Sequence, residues 1–390
     1  MTETTGQTEY GAVQTDSIYL DYNATAPVRP EVVQLVATVM GTVGNASSVH
    51  ASGRLARKRV EDARAHVAAL VGAHSDNVIF TSGGTEADNL ALSGFGDRRL
   101  VVSAVEHGAV LAPALLSAAD TAVVPVDAAG LIDLAALERV LAEEGRPATV
   151  SIMLANNETG AIEPVRAVVD LARRHGALVH TDAVQAAGKI PLDIEDLEVD
   201  FLSLSAHKLG GPQGVGALVL REDREVRAQV VGGGQERGRR SGTENVAGIA
   251  GFGEAARLAL DGLSHYAGLA ALRDDIERRT GEIAPARHVY AAEVPRLPNT
   301  SCLSMPGVKS ETQVMMFDLA GIAISAGSAC SSGKVSASHV LDAMAVPEDE
   351  ALTAVRVSLG WASTAADADR FVETWADIYR RCGQHAVDAA

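Results

Sequence analysis

Lysine is scarce in this chain, and one of its five copies stands where chemistry could be done. Lys208 lies in LSLSAHKLGG, just past an apolar run and between a Ser/His pair and two glycines; Lys58, Lys189, Lys309 and Lys334 have ordinary surroundings. An amine at a strand end, flanked by donors suited to phosphate, can form a Schiff base with a carbonyl cofactor. Alone, the fragment also reads as a surface lysine in a βα loop. Twenty-six residues earlier the run Leu178–Thr181 ends in Asp182, with Gln185 three positions on. A carboxylate there can hold the protonated pyridine nitrogen of pyridoxal phosphate, which makes the ring an electron sink, while the amide reaches the ring hydroxyl. Asp182 as the N-cap of a helix over AVQAAG is the plainer reading. TSGGTEADN resembles a strand, two glycines and a capping box from Thr85 to Asp88, so a phosphate could bind at Gly84 and Thr85 on the helix N-terminus. Ser205 and His207 are further donors; otherwise Thr85 is an N-cap and no more.

His107 follows VVSAVE at another strand end, where an imidazole could lie against a ring and move protons near neutral pH, or serve structurally. In ANNETG, Asn157 could meet the ring hydroxyl or a substrate, or simply form a turn. Cys330 sits among small residues in SAGSACSSGK, as an accessible thiol would, whereas Cys302 in SCLSM reads as a buried strand residue. Arg356 is a lone charge in the alternating run AVRVSL, so it either grips an anion or points to solvent. Gly327 to Gly333 encloses five residues and Lys334 is followed by Val335, which is no P-loop; HExxH, paired CxxC and GxSxG are absent from the sequence. No metal is needed.

The elements that must position these residues follow from the apolar pattern. Between about Ser17 and Gly262, short β-branched runs (Val78 to Phe80, Leu100 to Ser103, Val150 to Leu154, Leu178 to Thr181, Phe201 to Leu204, Val215 to Leu220) alternate with Ala/Leu/Arg stretches at helical spacing. That alternation predicts parallel βαβ units, and ligands of such sheets sit beyond the carboxyl ends of the strands. Residues 1–16 form a polar tail, 17–262 a large α/β domain and 263–390 a smaller α+β domain. A helix from Val246 to about Leu260 closes the large domain; in the smaller one a charged helix near Leu272 to Arg279 precedes strands at Ser301 to Met305, Ile322 to Ser325 and Ala354 to Leu359. The 390 residues carry a formal charge of −17, with 47 % hydrophobic and 21 % charged residues, which fits a soluble globular protein and disfavours nucleic acid as main ligand. The start lacks the features of a signal peptide and no apolar stretch is long enough to span a bilayer, so the expectation is cytoplasmic, without membrane contact. Three scattered cysteines make no disulfide framework.

Together Asp182, Gln185, Lys208, TSGGTEADN, VEHGAV, GGGQERGRRSGTEN and GSACSSG resemble a cysteine desulfurase of the NifS/IscS type, in the class V aminotransferase group with the pyridoxal-phosphate fold type I. The likeness runs in order from YLDYNATAPV to VRVSLGWAST. It implies conversion of L-cysteine to L-alanine, with sulfur passing to Cys330 as a persulfide and on to an acceptor, such as an iron–sulfur scaffold or a thiolation protein. Carried over, Lys208 holds the cofactor, Asp182 pairs with the ring nitrogen, Gln185 and Asn157 contact the ring hydroxyl side and His107 stacks on the ring. Gly84, Thr85, Ser205 and His207 bind the phosphate, Thr243 completes that site from the second subunit of a homodimer, and Arg356 holds the substrate carboxylate. SAHK and TSGGT stand where many relatives have SGHK and TSGAT, and neither change removes a functional side chain. A lyase or aminotransferase of the same fold, for instance a selenocysteine lyase, would share Lys208 and Asp182 without requiring Cys330.

Overall fold

The computed structural model describes residues 17–116, 120–143, 147–222, 224–327 and 338–383. After the short β1 (Ile18–Tyr19), seven strands form the main sheet: β2 (Val78–Thr81), β3 (Arg99–Ser103), β4 (Thr121–Val124), β5 (Ala148–Ser151), β6 (Leu178–Asp182), β7 (Phe201–Ser205) and β8 (Gly216–Leu220). Their order is β2-β8-β7-β6-β5-β3-β4. The parallel pairing expected from the βαβ pattern holds from β3 to β7. β8 departs from it, running antiparallel to both β2 and β7. The connection from β7 to β8 carries the Lys208 turn and no crossover helix, so the chain returns antiparallel. β4, which the apolar pattern did not mark, is a partly exposed edge strand.

Helices cover both faces, which is why β2, β7 and β8 are apolar almost throughout. Alternate residues divide between two cores: Val78, Phe80, Ala217 and Val219 join the large one, while Ile79, Leu218 and Leu220 face the helix Gly84–Ser93. On the outer side of the large core the helices Ala51–Leu70 and Val246–Asp261 touch backbone to backbone. A Cβ at Gly253 would come within 2.4 Å of Ala63 Cα, so only glycine permits that approach.

The later chain builds a second core. β9 (Thr300–Ser304), β10 (Ile322–Ala323), β11 (Ser325–Ala326) and β12 (Ala354–Ser358) follow the helix Leu263–Ile283, which is longer than its charged stretch foretold. β11, β12 and β9 form an antiparallel sheet, and β10 pairs in parallel with β1. The single strand expected over Ile322 to Ser325 therefore breaks at Ile324, because its two halves take partners in different sheets. Trp375, Phe371 and Phe317 fill this core, the two phenylalanine rings stacked at 4.9 Å, and Leu20 of the N-terminal segment packs among them. Burying each such aromatic contributes about 2 kcal/mol or more.

Candidate active site

Five strands of the main sheet end in polar residues that converge on one cavity of about 190 Å³. β2 leads to Gly84 and Thr85, β3 to His107, β5 to Asn157, β6 to Asp182 and Gln185, and β7 to Ser205, His207 and Lys208; all of these line it. The helix after β2 starts at Gly84 with Gly83 as N-cap and no side-chain cap, so the capping-box reading of Thr85 and Asp88 fails. Glu86 instead reaches back to the Ser82 N–H at 2.8 Å, and Asp88 is buried. A Cβ at Gly84 would meet Val184 Cγ2 at 3.0 Å and Ser205 Cβ at 3.5 Å, so glycine keeps this end of the cavity open. The first N–H groups of the helix have no partners within it and carry its positive dipole end.

Lys208 sits on the 3-10 turn Ala206–Lys208 that closes β7. Its Nζ donates to the carbonyls of Asn23 at 2.5 Å and Ala24 at 2.7 Å. Burial, aided by Arg356 and opposed by Asp182 and Asp21, pulls the amine down to about 8. Asp182 takes the Val184 N–H on Oδ1 at 2.9 Å in a turn, and no helix follows, so it is not the N-cap of one. Its carboxyl is pushed up by burial, against the Val184 hydrogen bond, His107 and Lys208. His107 accepts the Ala109 N–H on Nδ1 at 3.1 Å, and its enclosure, more than any charge, lowers its imidazole. His207 shares a hydrogen bond with Thr25 Oγ1 at 3.1 Å and is lowered to about 4, by burial and then by Lys208.

Other expected residues stand elsewhere. Thr243 is exposed and outside the cavity of this chain. Arg356 neither lines the cavity nor points to solvent: it is buried on β12, pairs with Asp21 Oδ1 at 2.8 Å and donates to the Asn157 carbonyl at 3.0 Å. Cys302 is a buried strand residue on β9, as read, its thiol pushed up by burial. Cys330 and Lys334 lie outside the described residues.

Three residues escaped the sequence. Asp88, read in the sequence only as the end of a capping box, lines the cavity with Oδ1 buried, free of hydrogen bonds and 3.7 Å from His180 Nε2. Asn23 is 1 % exposed and bonded through every polar atom. Lys189, assigned ordinary surroundings, is fully buried and donates to Asn23 Oδ1 and Gln185 Oε1, both at 2.7 Å. Its spacing from Gln185, one helical turn in QAAGK, was the available signal.

The profile of the class-V aminotransferases matches residues 18–371. A cysteine desulfurase of Sinorhizobium fredii is 46 % identical over 365 residues, 90 % of this chain and 94 % of its own length. One from Cereibacter sphaeroides is 44 % identical over 369 residues, 92 % of this chain and 94 % of its own. The solved structure of a NifS-like protein from Rickettsia africae superposes with a TM-score of 0.87 at 36 % identity, covering 93 % of this chain and 99 % of that one. The chain belongs to the class-V aminotransferases, among the cysteine desulfurases of NifS/IscS type. The fold is that family's α/β fold, and no helix among the described residues is long and apolar enough to cross a membrane.

Proposed function

We propose that this chain is a cysteine desulfurase that uses pyridoxal phosphate to convert L-cysteine to L-alanine and hands the sulfur to an acceptor. One observation carries the reading: nine residues picked for cofactor chemistry, drawn from five strand ends, line a single cavity. The donor set suits pyridoxal phosphate. It combines a lysine amine lowered to about 8, a buried carboxyl with one N–H partner, and a helix N-terminus opened by Gly84. When bound, the group would act as an electron sink for the pair left at the substrate Cα.

The residues would divide the work as follows. Lys208 holds the aldehyde carbon, and Asp182 keeps the ring nitrogen protonated. Gly84, Thr85, Ser205 and His207 bind the phosphate, with Thr243 from a second copy of the chain completing it in a homodimer. Gln185 and Asn157 meet the ring oxygen. His107 lies against the ring and, held neutral by its enclosure, accepts a proton from the substrate side. Arg356 receives the substrate carboxylate, for which it must exchange its Asp21 partner. Cys330, as thiolate, takes the sulfur. The same proposal divides the chain at Gly262, which caps both the helix before it and the helix after it, and places the enzyme in the cytoplasm, delivering sulfur to an iron–sulfur scaffold or thiolation protein. Incubation with L-cysteine and a reductant should release sulfide and alanine in equal amounts, and alanine without sulfide would overturn the desulfurase reading.

A further inference from the structure

Behind the cavity wall Lys189 spends its hydrogen bonds on two carboxamides. Its Nζ lies 2.7 Å from both Gln185 Oε1 and Asn23 Oδ1, in a place with no solvent contact. Turning either amide over would set an NH2 against an amine, so both oxygens are tied to Lys189. Gln185 then has only N–H groups left: one goes to the Asn23 carbonyl at 2.9 Å, and the second is free for the cavity that Gln185 lines. Asn23 is held by Thr300 Oγ1 through its own NH2, at 2.9 Å, which leaves its backbone carbonyl as the shared acceptor of Gln185 and Lys208.

We infer that Lys189 is a positioning residue of this site: it fixes which way round the Gln185 amide lies and, together with Asn299, that of Asn23, so that a bound ring oxygen meets an N–H donor and the Lys208 amine keeps its carbonyl partner. The inference rests on the proposed cofactor, and deepens it. An acidic ring oxygen is stabilised by a donor and repelled by a carbonyl, so a freed Gln185 amide loses that discrimination.

The test is a double-mutant cycle on the pyridoxal-phosphate-loaded protein with Lys189→Met, Gln185→Ala and the pair. Lys189→Met should keep its cofactor, shift the visible absorbance of the bound group, leave KM for L-cysteine nearly unchanged and lower kcat about tenfold, the size of one hydrogen bond. The pair should be no worse than Gln185→Ala, because the lysine acts through the glutamine. Multiplying losses, or an unmoved absorbance band, overturn the inference. If Lys189→Met does not fold, Lys189→Gln carries the same cycle with a smaller loss, and additivity there is equally decisive. A wild type that makes no sulfide refutes the proposed function instead, so the two failures are distinct.

Discussion

On the sheet side of the cavity Asp88, Glu106 and Asp182 are carboxyls pushed up by burial, the first two also by Asp182 itself. On the side toward the small sheet, Lys208 and Lys189 are amines pulled down by burial and by Arg356. One physical cause, loss of water, drives acids and bases toward their neutral forms from opposite directions. Asp182 and Lys208 attract each other across the cavity, but burial outweighs that attraction at both, and a ligand with a protonated nitrogen at one end and a carbonyl at the other answers both. Asp182 and Lys208 face the cavity, whereas Arg64 and Glu236 are buried too but already bound to each other at 2.7 Å.

The largest break in that comparison is Lys208→Ala. It should abolish the yellow Schiff-base absorbance and lower kcat by about a thousandfold, since the remaining lysines cannot replace an amine at this turn. Asp182→Asn is next: cofactor stays, but a neutral amide cannot hold the ring nitrogen protonated, and turnover should drop about a hundredfold. Unchanged kcat in steady-state assays would place the partner elsewhere. For the basic side alone, stopped-flow uptake of pyridoxal phosphate by the cofactor-free protein should quicken as pH rises through about 8, where the Lys208 amine loses its proton, and then level off. A flat profile contradicts the assignment.

The smallest effect tests a carboxyl away from the amines. Burial raises Glu163 to about 8 against an ordinary 4.5, while the Ile132 N–H holds Oε2 at 3.0 Å. Between those two values the unfolded chain has released the proton and the folded one still keeps it, so stability falls as pH rises across that window. Glu163→Gln should flatten the decline, which thermal melts at a series of pH values would measure, and equal slopes would show that the group is already ionised in the folded protein.

The strand-end clusters were legible because each is local: a β-branched run stops and polar residues follow within a few positions. That was enough to mark Gly84, Thr85, His107, Asn157, Asp182, Gln185, Ser205, His207 and Lys208 as candidates, and the resemblance to the cysteine desulfurases grouped them into one site. Asn23, Asp88 and Lys189 were not legible, since their roles come from burial and from partners far along the chain. Lys189 meets an asparagine 166 residues away, and its four-residue spacing from Gln185 is the one local hint of its place. Arg356 was legible as a residue that grips an anion, but not the anion it meets here, Asp21, 335 positions off. In the fold, alternation located most strands and predicted parallel pairing, which β8 breaks; that reversal and the split at Ile324 emerged only from tertiary pairing.

The crossing of the N-terminal segment into the C-terminal core has a consequence for synthesis. A ribosome delivers Asn23 early and its hydrogen-bond partners Asn299, Thr300 and Ser358 very late. β1 likewise waits for β10. The main sheet can collapse once β8 has emerged, yet the carbonyl that receives Lys208 is not held until nearly the whole chain is out. A nascent or truncated polypeptide therefore has the sheet without the finished site. Competence to load a cofactor reports on the completeness of the chain.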